Sequence, residues 1–435
     1  MTEKYLSSVR NQYEELPYPP CDPKNEMKGL ARTWLEDLPK INYYCFGGRN
    51  SFKNGFRALV AGGGTGDATI FLAHQLRNTD AQIVHVDLSS ASIAIAQERA
   101  KIRGLENITW IHDSLLNLPQ MGLEKFDYIN CSGVLHHLPD PDAGLVALRS
   151  VLKDSGALAI MVYASHGRTA VYQMQSLMRL INGEDDAIDQ KLKNTKDILN
   201  SLPATNWFVR GEDLYHDHKN GDAGIYDLLL HSQDRAYSVP ELYEWIEDRH
   251  RLHLDLTDVY TGRSSYLPHM LIGAKKTEVL KQIQSLPPRK QHAIAEILTG
   301  RIITHSFYAT ASAACKAPYG DVDYVPMFFH EPTTGPMMEK IFNTNKNKGR
   351  VFLLEHRQAG IAFPVNPGKY GPRILREIDG KKSFKEIFDI VRADVQYRFD
   401  HPSDETLFAD FKESFDALNA MDRLLLRHRD VSVVE

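Results

Sequence analysis

Between residues 53 and 165 short apolar runs recur: RALVA (57–61), QIVHVD (82–87), NITWIH (107–112), FDYINC (126–131) and ALAIMVYA (157–164). Segments with helical spacing, such as SIAIAQERAKIRG (92–104), separate them. Near-continuous apolar strands alternating with helices predict a parallel sheet with crossover helices, an α/β core of the doubly wound kind. Residues 166–236 carry helical periodicity and polar loops and read as a helical insertion. SVPELYEWIEDRH (238–250) then restarts with Ser238 as N-cap and Pro240 in the first turn. RLHLDLTDV (251–259) and HMLIGAKK (269–276) read as two strands that complete the sheet, so 237–276 is assigned to the core. Residues 1–52 mix Pro, Tyr and Gly and read as an N-terminal cap. Residues 277–368 form a middle α+β region. Residues 369–435, helices ending in a short strand, suggest a small winged-helix-like module.

Composition narrows the class. The 435 residues are 43% hydrophobic and 25% charged, an ordinary globular balance, enough for roughly two to three domains. A net charge of -5 offers no basic footprint, so nucleic acid is not the expected partner. Cys21, Cys45, Cys131 and Cys315 are scattered without a C-x-x-C pair, which points away from a disulfide framework or zinc cluster and fits a reducing cytoplasm. The N-terminus has no basic stretch leading into an apolar core, and no segment approaches the ~18 apolar residues of a membrane span. A soluble cytoplasmic protein is expected.

The chemistry starts at LVAGGGTGDAT (59–69), where an apolar strand runs into Gly62, Gly63, Gly64 and Gly66 and a helix follows. A bare backbone at a strand-to-helix junction suits a ligand that must approach main-chain amides. A structural turn explains one such glycine or two; four of five positions point to a ligand loop. Asp67 stands where a dinucleotide fingerprint needs its third glycine, which disfavours NAD. Asp87 closes the next strand, where a carboxylate can accept both hydroxyls of a ribose or cap the following helix. Asp113 and Ser114 close the third, where a carboxylate can accept from an adenine amino group or simply make a turn.

Taken together, AGGGTGD, VDLS, HDSLLNLP and GVLHHLPDP, in this order and spacing, resemble the motifs of class I S-adenosylmethionine-dependent methyltransferases. The resemblance covers 53–165 and extends to about 276. It implies a Rossmann-like sheet and S-adenosylmethionine as cofactor, with Gly62, Gly64 and Gly66 bordering the methionine part, Asp87 the ribose, and Asp113 with Ser114 the adenine. Ala61, Gly63, Leu88, Cys131, Ser132 and Gly133 complete the expected cofactor set. The plan of cap, core, insertion and C-terminal region is more distantly similar to that of rickettsial outer-membrane-protein lysine methyltransferases. One departure stands out: Val60 occupies the place of the usual acidic residue, so the cofactor's ammonium must find another partner, a backbone carbonyl or a group from the cap.

A sulfonium is already a strong methyl donor, so such a site has mainly to align the acceptor and exclude water. GIYDLLLHSQDRAYSVPEL (224–242) places Asp227 and His231 four residues apart, on one face of a helix. These two and His137, after the fourth strand, are the candidate catalytic residues; capping charges are the alternative reading. Tyr163, Arg168 and Arg235 are candidate substrate contacts. Tyr13, Tyr18, Tyr43 and Tyr44 either cover the cofactor or pack. His216, Asp217 and His218 lack a further well-placed ligand, and no metal is expected. A protein lysine, which must lose a proton, is one acceptor class; a small metabolite held by Arg168 or Arg235 is another, and a non-catalytic cofactor-binding scaffold is the third reading. The long insertion suggests a homodimer or a large acceptor.

Overall fold

The structure, a computed structural model, describes residues 7–183, 185–258, 261–272, 277–329, 334–343, 352–356, 361–397 and 399–431. The chain forms two compact units. The first holds residues up to 36, 52–238 and 300–306; the second holds 37–51, 239–299 and 307 onward.

In the first unit, Arg57–Ala61 (β1), Gln82–Asp87 (β2), Ile108–His112 (β3), Phe126–Ser132 (β4) and Leu152–Ala164 (β5) lie in the order β3-β2-β1-β4-β5. All four pairings are parallel. Ala236–Tyr237 (β6) runs parallel to the end of β5. Ala58, Leu59, Val60 and Ala61 are all buried, as a strand covered on both faces requires. Helices Ser7–Glu15 (α1), Asp67–Gln75 (α3), Ser90–Ile102 (α4) and Pro141–Ser150 (α5) belong here; Leu38–Cys45 (α2) belongs to the second unit. The result is a Rossmann-like sheet flanked by helices.

The N-terminal segment is stitched across the carboxyl ends of β1 and β2. The Ser89 hydroxyl donates to Tyr13 O at 2.9 Å, and the Glu14 carboxylate accepts from the amides of Ser90 (2.8 Å) and Ala91 (3.1 Å). An acid at the start of α4 is favoured by the unpaired amides and the helix dipole there. The Thr65 hydroxyl donates to Pro19 O at 2.8 Å. Glu26, buried, pairs with Arg99 at 2.6 Å and with Arg103.

Residues 166–236 hold the helices Thr169–Ile181 (α6), Ile188–Leu199 (α7), Trp207–Arg210 (α8) and Gly221–Leu229 (α9). Val171, Met174, Phe208, Leu228 and Leu229 make its core.

The end of the sheet differs from expectation. His253–Thr257 (β7) forms, but Pro268–Leu271 is a helical turn, so the strand expected over 269–276 is not made in its described part; residues 273–276 lie outside the described residues. Pro268 supplies the fixed φ and missing N–H that suit the first turn of a helix. The missing strand is instead Thr304–Thr310 (β8), which follows β5 in the sheet order. In the second unit Tyr324–Phe328 (β9) pairs antiparallel with Leu424–His428 (β12), and Phe352–His356 (β10) with Ile361–Val365 (β11). The C-terminal strand therefore takes its partner from upstream of residue 369. Lys40 in α2 forms a buried ion pair with Asp422 at 2.7 Å.

Glu26→Ala leaves Arg99 buried with Asp67 as its one remaining counter-charge among the described residues. Breaking such a pair should cost about 3–5 kcal/mol, read as a lower urea midpoint; a loss near zero contradicts a structural role for this clamp.

Candidate active site

The glycine turn carries positive φ at Gly62 (+76°), Gly64 (+52°) and Gly66 (+101°), which side-chain-bearing residues avoid. Its bareness also serves the protein's own packing. A Cβ on Gly63 would lie 2.3 Å from the His85 ring, and one on Gly64 2.6 Å from Tyr18 O. Crowding from the cap and from β2 thus gives Gly63 and Gly64 a packing role, where the sequence allows a structural turn one or two glycines and assigns the set to a ligand loop.

Around this turn the expected cofactor residues converge. Asp87 Oδ2 accepts from Gly64 N at 2.7 Å and Oδ1 from Ser89 N at 2.8 Å. Burial pushes this carboxyl up, and the two amide bonds oppose that shift. Each oxygen keeps a second lone pair, which is what paired ribose hydroxyls require. Leu88 O accepts from His112 Nε2 at 2.9 Å. Asp113 Oδ1 accepts from Ser114 N and Asn117 Nδ2, both at 2.7 Å, and Oδ2 takes no hydrogen bond among the described residues. Ala61 and Cys131 are buried in the strands, the Ser132 hydroxyl accepts from Asn130 Nδ2 at 2.9 Å, and Gly133, at φ +78°, donates its N–H to Met161 O at 3.0 Å.

The sequence reading missed Glu36. Val60 is in register with His85 on β2 and Asn130 on β4, so the three side chains share one face of the sheet. Asn130 Nδ2 donates to Glu36 Oε1. A buried carboxylate from the N-terminal segment therefore stands beside the position where Val60 replaces an acid.

Farther along the same edge, His137, Asp227 and His231, all buried, bring one ligand-capable atom each within 4.8 Å of one another. Asp227 lies in α9 and His231 just past its end. Tyr13 OH donates to Asp227 Oδ1 at 3.0 Å and Tyr163 OH to Oδ2 at 3.2 Å. Tyr13 OH also lies 3.3 Å from His231 Nε2. His231 Nδ1 accepts from Gln233 N at 3.1 Å, so the network puts the proton of the neutral ring on Nε2, facing Tyr13. His137 Nδ1 donates to Gln233 O at 2.8 Å, which leaves its Nε2 bare. The two rings stack at 3.8 Å and 21°, so their in-plane lone pairs run side by side instead of converging on one point. The cluster as placed is a hydrogen-bonded relay.

Burial sets its titration. It lifts the Asp227 carboxyl to about 6, against the lowering by Tyr13, Arg168 and Tyr163, and it lowers His137 to about 4. His231 is also pushed well down, by burial and then by His137. Burial thus moves two ionisable groups that share a site in opposite directions, the acid up and the imidazole down. Asp227 is the stronger base.

Arg168 is buried, its guanidinium carbon 3.5 Å from the centre of the Tyr163 ring. Arg235 is not part of this cluster: it is exposed and lies over Tyr237 at 4.8 Å, while its backbone N–H donates to His136 O. Tyr43 and Tyr44 belong to the second unit, where they donate to Asn419 and Asp422.

Residues 59–158 match the family described as "Methyltransferase domain". An uncharacterized protein of Synechococcus sp. is 33% identical over 327 residues, covering 74% of this chain and 76% of its own. The tRNA 5-carboxymethoxyuridine methyltransferase of Escherichia coli is 33% identical over 112 residues, 26% of this chain and 41% of that enzyme. The solved structure of PKMT2 from Rickettsia typhi in complex with AdoHcy superposes with a TM-score of 0.59 at 17% identity, covering 91% of this chain and 76% of that one. At that identity the likeness is one of fold.

Asp227 binds its proton more tightly folded than unfolded, so its stabilising contribution is full below about pH 4 and is lost as pH rises through about 6. Asp227→Asn removes that loss. Its stability relative to the parent should rise by on the order of 3 kcal/mol between about pH 4 and pH 7, measured by urea denaturation; a difference constant with pH contradicts the raised value.

Proposed function

The chain belongs to the class I S-adenosylmethionine-dependent methyltransferases, and on that premise we propose that it methylates a proton-bearing nucleophile, an amine or a hydroxyl, seated against Asp227. The observation that carries this reading is a buried carboxylate held between two phenol hydroxyls, with no cation paired to it among the described residues.

The cofactor supplies a methyl group on a sulfonium, electrophilic enough to need no acid. Asp87 would hold the ribose hydroxyls and Asp113 the adenine amino group. Glu36 would take the role that Val60 vacates, its carboxylate facing the cofactor's ammonium. The residues fit that group: three carboxylates, Asp87, Asp113 and Glu36, stand around the glycine turn with oxygen lone pairs left to accept from hydroxyl, amino and ammonium donors.

Asp227 orients the acceptor and takes its proton, and Tyr13, which donates to Asp227 Oδ1 and faces His231 Nε2, holds the carboxylate in place. His137, with a bare Nε2, accepts a hydrogen bond and positions the acceptor. Burial of all three side chains excludes water from the nucleophile. A protein lysine and a small metabolite both meet the requirement for a removable proton, and an ammonium would also be drawn to the Asp227 carboxylate.

Calorimetry with S-adenosylmethionine should show saturable binding, weakened by about tenfold or more in Asp87→Ala and by about tenfold in Glu36→Gln, as expected for lost hydrogen bonds to charged groups; unchanged affinity in Glu36→Gln removes its proposed role. Transfer of tritiated methyl into a size-fractionated extract should fall about 10²- to 10⁴-fold in Asp227→Asn while cofactor binding persists. Full transfer by that variant contradicts the acceptor site.

A further inference from the structure

Arg168 is 1% exposed, yet its Nε and Nη2 have no hydrogen-bond partner. These two nitrogens form one edge of the guanidinium, the edge that receives a carboxylate or phosphate through two parallel hydrogen bonds. The face of the group is satisfied by the Tyr163 ring, 3.5 Å away; the edge is not. Nearby polar atoms are in the same condition. Both ring nitrogens of His136 are buried without partners, and the Tyr172 hydroxyl, near enough to Arg168 to raise its proton affinity, makes no hydrogen bond of normal geometry. His136 lies 3.9 Å from Tyr163 between ring centres, and Tyr172 follows Arg168 by one helical turn in α6. Asp234 and Asp227, the acids whose charges act on Arg168, are bonded to Gln175 Nε2 at 2.8 Å and to the Tyr13 and Tyr163 hydroxyls, and no carboxylate among the described residues pairs with the guanidinium.

A set of buried donors without an acceptor is costly and persists where a ligand completes it. Arg168 is also the N-cap of a 13-residue helix and has no side-chain cap bond, so the helix dipole adds positive potential beside it. We propose that Arg168, with Tyr172 and His136, binds an oxyanion group of the acceptor, a carboxylate or a phosphate, so that the substrate is a small anionic molecule with its nucleophile directed at Asp227. Tyr163 joins the two halves of this site: Arg168 stacks on its ring and its hydroxyl donates to Asp227 Oδ2 at 3.2 Å. The inference deepens the proposed function and rests on it for where the nucleophile lies. The anion site stands on its own observations.

The test uses the full chain and two probes, 13C-labelled acetate followed by NMR and inorganic phosphate as competitor, both against a chloride background. Saturable acetate binding is expected, displaced by phosphate or insensitive to it according to which oxyanion the site prefers. Arg168→Met should weaken it by at least about tenfold and Tyr172→Phe by about threefold. In chloride alone Arg168→Met should melt at or above the parent temperature, because an unpaired buried charge is removed; AdoHcy binding, measured alongside, should be unchanged. Equal acetate binding by parent and Arg168→Met, absence of saturation in the parent, or a melting point lowered in Arg168→Met would each overturn the anion site. Loss of activity in Asp227→Asn bears on the methyl-transfer reading and leaves these binding results untouched.

Discussion

A carboxylate that is buried without a paired cation must be compensated by neutral donors, and Asp227, which has no paired cation among the described residues, is compensated by two phenols 150 positions apart in the sequence. Tyr13 comes from the first helix and Tyr163 from the last residues of β5. The acid therefore fixes three elements at once: the N-terminal segment, the sheet edge and the end of the inserted helices. Its raised proton affinity follows from the same arrangement, since hydroxyl donors stabilise the anion less than a cation would. A fold in which any of the three moved away would lose both the contact and the chemistry.

The N-terminal segment does more than cover the sheet. Tyr18 and Pro19 press their carbonyls on the glycine turn, Glu14 and Tyr13 fasten to the start of α4, and Glu36 brings an acid next to Val60. In the proposed site the cofactor would thus lie between β-strand ends and residues of the N-terminal segment. Substitution of the usual strand acid by valine becomes intelligible: an apolar side chain at Val60 leaves space and low polarity in which a carboxylate from another element can stand.

Much of this was legible in the chain. Apolar runs located β1 to β5, and turn chemistry placed Asp87 and Asp113 at strand ends. Spacing put Asp227 and His231 together, although His231 lies beyond the helix and not on it. Three things were hidden, each for a physical reason. Thr304–Thr310 is buried through most of its length but carries His305, Ser306 and Thr310, so no apolar run marks it as a sheet strand. Glu36 is 24 positions before Val60, and no local period connects them. The bonds from Tyr13 to Asp227 and His231 span more than 200 residues, which only tertiary structure reveals. Val60 was the one signal available: its departure from the motif pointed to another partner for the cofactor's ammonium, a backbone carbonyl or a group from the cap.

The account stands on a single arrangement, a sulfonium cofactor lying between the strand ends and the cap with its methyl directed toward Asp227. A crystal structure of the AdoHcy complex tests it most directly. The ribose hydroxyls should lie on Asp87, the amino group within hydrogen-bond reach of Glu36, and the sulfur should open toward Asp227 and His137. A nucleoside bound away from Asp87, or a sulfur walled off from Asp227 by protein side chains, would contradict it.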